Sequence, residues 1–164
     1  MATFTSTQVT NKDLNPAATP HSSREVMCVR GTVALTDALA AGDFAKLVVL
    51  PPKTIAVECT LISTDLDTGT PAIIIDVGVL NTAEDGLVAG SLLIDGSAVC
   101  QAGGVARMDD HEHTHLASTW LAVSTGPGDD DEKIIAVEVM TVAATEAAGT
   151  IYFECFYRSS EGGT

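Results

Sequence analysis

The sequence predicts an all-β protein, a sandwich or barrel of short strands. Three observations carry this. Ile55, Val57, Cys59 and Leu61 alternate with Thr54, Ala56, Glu58 and Thr60, the period-two pattern of a half-buried strand. Turn-forming residues interrupt the chain after nearly every apolar run. No long segment repeats its apolar residues at the helical period, and no strand–helix alternation supports a nucleotide-binding fold.

Taken in order, residues 1–25 are rich in Thr, Ser, Asn, Pro and Ala. Asn15-Pro16-Ala17-Ala18-Thr19-Pro20 has neither periodicity, so this stretch is expected to be an extended N-terminal arm. Residues 26–164 are expected to form the sandwich domain. Its first strand is Val26–Leu35, and Thr36–Ala41 (TDALAA) is the one stretch that reads as a helical turn. Phe44–Leu50 is the next strand, closed by Pro51-Pro52-Lys53. The alternating run at 55–61 follows, then a turn at Asp65–Thr70. Ala72–Leu80 (AIIIDVGVL) is apolar on both faces except at Asp76, which marks a central strand. Leu87–Ile94, Ala98–Gln101 and Leu116–Ser124 are further strands, separated from their neighbours by Asn81–Gly86, Asp95-Gly96 and Gly126-Pro127-Gly128. Two alternating runs finish the chain, Ile135–Val139 and Ile151–Tyr157. That makes nine strands.

A length of 164 residues is that of a single domain with a sizeable core. Aromatic residues are only 4%, so the core must be built from Val, Ile, Leu and Ala, with Trp120 read as a core residue in its strand. Eight Lys and Arg face 22 Asp and Glu, a net charge of −14. Such a chain lacks the basic footprint that phosphate backbones require, so nucleic acid is not expected as a partner. Nor is a membrane: no apolar run approaches the length of a span, and no signal peptide is visible. The acid is unevenly placed. Residues 1–30 carry Lys12, Arg24 and Arg30 against Asp13 and Glu25, whereas the rest carries five basic and 20 acidic residues. Cys28, Cys59, Cys100 and Cys155 are widely spaced and read as free, mostly buried thiols.

Few residues suggest chemistry. His111-Glu112-His113-Thr114-His115 contains the letters of a zinc-protease motif, which functions only on a helix. A strand-like run follows at once, and no third ligand stands out downstream. On an extended strand His111, His113 and His115 would instead point one way and gather a metal, most simply at an oligomer axis. The plain alternative is a solvated acidic loop, and no metal or other cofactor is assigned. Asp129-Asp130-Asp131-Glu132 and Asp65-Leu66-Asp67-Thr68-Gly69 match fragments of calcium loops, and both read more simply as turns between strands. No nucleophile elbow, P-loop or dinucleotide fingerprint occurs, so no catalytic residue is assigned and the chain is not expected to be an enzyme.

Leu50-Pro51-Pro52-Lys53 runs into IAVECTLISTDLDTGTPAIIIDVGVL at 55–80, followed by LVAGSLLIDGSAVCQAGG at 87–104 and AAGTIYFECFY at 147–157. This pattern resembles structural proteins of tailed-bacteriophage virions, in particular capsid decoration (cement) proteins. The resemblance spans about residues 44–105 and 133–157 and does not extend to the acidic, histidine-bearing segment at 108–132. It implies a jelly-roll β-sandwich on the outer capsid surface, with the major capsid protein as partner and a homotrimer as the form of assembly. It also implies a role in stabilising the capsid by bridging major capsid subunits. Within the arm, Phe4, Val9 and Leu14 are the expected apolar capsid contacts. Reduced thiols fit assembly in a host cytoplasm. The alternative reading is a virion fibre or glycan-binding sandwich, which would use surface aromatics near Trp120.

Overall fold

The computed structural model describes residues 2–14, 16–20, 25–36, 39–108, 128 and 130–160. Nine strands are formed among them: β1 (Thr3–Thr5), β2 (Met27–Leu35), β3 (Phe44–Leu50), β4 (Thr54–Ser63), β5 (Ile74–Leu80), β6 (Leu87–Ser97), β7 (Gly104–Arg107), β8 (Lys133–Thr141) and β9 (Gly149–Ser159). One helical turn, α1 (Thr7–Thr10), and a 3-10 turn at Val99–Gln101 complete the elements. No helix among the described residues is long and apolar enough to cross a membrane.

The strands pair into a five-stranded sheet of order β1-β3-β8-β5-β6 and a four-stranded sheet of order β2-β9-β4-β7. From β2 onward the chain crosses between the sheets at each connection except the β5–β6 hairpin, which is jelly-roll winding. Every pairing is antiparallel except that of β1 with β3.

The burial pattern follows from alternation. In β9, Ile151, Phe153, Cys155 and Tyr157 are buried while Tyr152, Glu154 and Phe156 point away from the core. These inward residues pool with Val33, Leu61, Ile75, Val77, Ile135 and Val137 into one core between the sheets. With so few rings, aliphatic side chains and three buried thiols fill it. A smaller cluster of Phe44, Leu80 and Ala136, flanked by Leu87 and Ile134, forms separately from this core.

β3 carries a bulge between Lys46 and Val48. The Leu47 carbonyl accepts the hydroxyl proton of Ser6, which is fully buried. Gly31 of β2 passes over the same carbonyl so closely that a Cβ there would sit 2.0 Å from it. The N-terminal segment is thus part of the body. β1 adds an edge strand with Phe4 opposite Ala45, Ser6 caps α1 by accepting the Val9 N–H at 3.1 Å, and Tyr157 donates to the Ala18 carbonyl at 2.6 Å.

The structure corrects the sequence reading at several elements. Thr36–Ala41 forms no helix among its described residues, and Asp37 and Ala38 lie outside them. Instead the Asp43 carboxylate takes the Ala40 N–H at 2.8 Å and Gly42 turns the chain at φ 81°. That bond and that turn carry the chain into β3 without a helical turn. Ala98–Gln101 is the 3-10 turn rather than a strand. It buries Cys100 and leads into Gly103 at φ 72°, which brings the chain back as β7. The pairings of β1 and β7 were not expected, because each is a short edge strand with little pattern of its own. The expected strand Leu116–Ser124, with Trp120, lies outside the described residues.

Candidate functional site

Jelly-roll connections meet at the ends of the sandwich, and there the acidic turn at Asp65–Thr70 is a structural staple. Asp65 accepts the Asp67 N–H at 2.9 Å, an Asx turn. Asp67 is buried and accepts four further backbone N–H groups: Ala72 at 2.7 Å, Ile73 at 3.1 Å, Ala144 at 3.1 Å and Thr145 at 3.0 Å. Those donors, Thr145 foremost, hold its carboxyl well below the usual carboxylate range. Both oxygens already accept backbone N–H groups, so this turn is an anion-stabilised joint between two loops and offers no calcium cradle.

The second acidic run is used in a similar way. Asp131 accepts the Gly128 N–H at 2.9 Å, Asp130 lies 3.7 Å from the Lys53 ammonium, and Glu132 pairs with Lys12. The hydrogen bond to Glu132 raises the Lys12 pKa and ties the N-terminal segment to the start of β8. Asp129 lies outside the described residues.

Asp76, the one acid on the central strand β5, accepts the Gly96 N–H at 2.7 Å. Burial pushes its carboxyl above the usual value, and Asp95 adds to the shift. Burial raises the Cys28 pKa, with Glu154 adding to the shift and Arg30 opposing it. Cys59 and Cys155 face each other across β4 and β9, with the Cys59 thiol 3.3 Å from the Cys155 sulfur. The bond from Cys59 and burial both raise the Cys155 pKa. Burial pushes Cys100 to about 11. Cys155 and Cys100 are therefore held as thiols at neutral pH.

Of the three expected capsid contacts, Phe4 packs against the chain's own core and Val9 is half-buried, whereas Leu14 is 87% exposed. His111, His113 and His115 lie outside the described residues, as does Trp120. Among the described residues no three His, Cys, Asp or Glu side chains cluster as metal ligands do.

Sequence reasoning missed the feature that stands out on the surface. Register aligns Thr32 (β2), Tyr152 (β9), Ile62 (β4) and Val105 (β7) in one row across the outer face of the four-stranded sheet. The next row is Arg30, Glu154, Thr60 and Arg107. A shallow groove of about 260 Å³ runs between the rows, lined by Arg30, Thr32, Thr60, Ile62 and Tyr152. The period-two pattern marks each residue as outward-facing, but only strand order makes them neighbours.

No sequence-family model matches the chain, and no curated protein matches it. Solved structures do. A chain of the capsid asymmetric unit of cyanophage Pam1 is 28% identical over 81% of this chain and 84% of its own, with a TM-score of 0.60. A chain from the capsid of Ralstonia phage GP4 is 30% identical over 99% of both chains, with a TM-score of 0.75. By that end-to-end match in sequence and fold, the chain belongs to the family of bacteriophage capsid structural components represented in the GP4 capsid.

Proposed function

We propose that this chain decorates the outer surface of a phage capsid as a homotrimer and stabilises it by bridging subunits of the major capsid protein. The observation that carries the reading is the alignment of the whole chain, end to end, with one chain of a phage capsid. The net charge of −14 supports an outer position, since packaged DNA is a dense polyanion that repels an acidic protein from the inner surface.

The mechanism is physical. A protein that binds the assembled shell and not its dissociated subunits stabilises the shell by mass action. Joining several binding units into one trimer adds avidity without new contacts. Of the arm's apolar residues, Leu14 is the one presented to a neighbour, while Phe4 packs on the chain's own core and Val9 is half-buried.

The test is reconstitution. Purified protein is mixed with mature shells lacking it, and bound copies and shell heat resistance are measured. Saturable binding on the outer surface with a rise in shell melting temperature is expected. Shells that take up no protein would overturn the reading. Leu14→Asp is expected to weaken binding while leaving the isolated protein folded.

A further inference from the structure

We propose that the outer face of the β2–β9–β4–β7 sheet is the surface through which one copy of this chain meets a second copy. Tyr152, Ile62 and Val105 are 48%, 45% and 59% exposed and stand side by side in a single row. Large apolar side chains scattered singly over a surface need no explanation, but three in register form a patch whose burial is favourable.

Charge selects the occupant. On the outward positions of this sheet Arg30 pairs with Glu154 and Arg107 with Glu58, which leaves Arg158 as the excess charge. Among the described residues the remaining acids, Asp85, Asp95, Asp130 and Asp131 among them, lie off this sheet. Copies of such a chain repel one another in most orientations. They attract when this mildly basic, apolar face meets an acidic surface of the next copy. The two surfaces in such a contact differ, so the interface is heterologous, the kind that closes into a ring. That the ring has three members rests on the decoration reading above; the choice of face does not.

The full chain supplies its own probe. Cys28 is the exposed thiol and points outward on β2, two rows from Thr32, while the other three are buried. The experiment compares wild type with Ile62→Ser/Val105→Ser and with Arg107→Glu by native mass spectrometry and sedimentation, alongside maleimide labelling of Cys28. Both variants change exposed residues only, and circular dichroism checks that they fold. Wild type is expected to be oligomeric with Cys28 protected. The variants are expected to dissociate at least about tenfold more readily, with Cys28 labelled at the rate of an open thiol. A monomeric wild type at micromolar concentration overturns the proposal. So do variants that keep the wild-type oligomer. Oligomeric variants that no longer bind shells would give the face to the shell, overturning this proposal while leaving decoration intact. A monomer with Cys28 still shielded would give it to a segment of the same chain, and also overturns it. Wild type that oligomerises through this face yet ignores shells would instead overturn the decoration reading alone.

Discussion

The Tyr157 hydroxyl donates to the Ala18 carbonyl at 2.6 Å, joining the last strand to a segment 139 residues earlier in the chain. The ring is fully buried, and burial pushes the phenol up to about 12, so the proton stays in place at any working pH. Ala17 packs against the core beside this contact. The N-terminal stretch, polar and rich in proline by composition, is thereby fastened to its own domain.

Replacing Tyr157 by Phe keeps the ring and removes that bond. The expected cost is about 1 kcal/mol, the usual net value of such a bond. The larger effect should be local: limited proteolysis is expected to cut the first 20 residues faster than in wild type, with the sandwich left intact. Equal cleavage rates would show that the bond does not hold the arm.

Gly31→Ala is expected to be among the most damaging single changes. The added Cβ would lie 2.0 Å from the Leu47 oxygen, and the obstacle is backbone in a bulge that also binds Ser6. Loss of soluble protein, or a fall in melting temperature of more than about 10 °C, is expected. Gly86→Ala is the control, since its nearest neighbour would be the Asn81 side chain at 3.5 Å. It should melt within about 2 °C of wild type.

Asp67 contributes stability that is sensitive to acid. Its folded pKa lies below the ordinary value of 3.8, so its contribution is fully present above that value. As pH falls from 3.8 toward the folded pKa, protonation of the unfolded chain wins and the contribution is lost. Asp67→Asn should lower the melting temperature at pH 7 by more than about 5 °C, because its amide would face N–H donors with an N–H of its own. The same variant should flatten the pH dependence of stability below 3.8 relative to wild type. A variant with the wild-type slope would place the acid sensitivity elsewhere.

Removing residues 2–24 takes away β1, α1 and the buried Ser6 hydroxyl together. The truncated protein is therefore expected to lose stability as well as capsid binding, measured as a lower denaturation midpoint. A truncated protein as stable as the full chain would show that the segment contributes little to the body.

Much of this architecture was legible beforehand. Period-two alternation located β4, β8 and β9, and apolar runs between turns located β2 and β3, each to within a residue or two; Asp76 in an apolar run marked β5 as a strand flanked on both sides. Strand alternation is a local property of the backbone, so a single sequence carries it. The errors fall where local signal is weak. Gly104–Arg107 is a four-residue edge strand that exists because β4 lies beside it. Thr3–Thr5 exists because β3 offers an edge next to a bulge.

By itself the sequence determined that the chain is a β-sandwich with an acidic exterior and free, mostly buried thiols, because alternation, charge count and cysteine spacing are additive along the chain. Only the tertiary structure decided that Phe4 packs on the chain's own core, that Asp67 serves four backbone donors from two loops, and that Tyr152, Ile62 and Val105 share one row. Each of those depends on which distant strands become neighbours. That choice is settled by burial of the whole core and is written in no single segment.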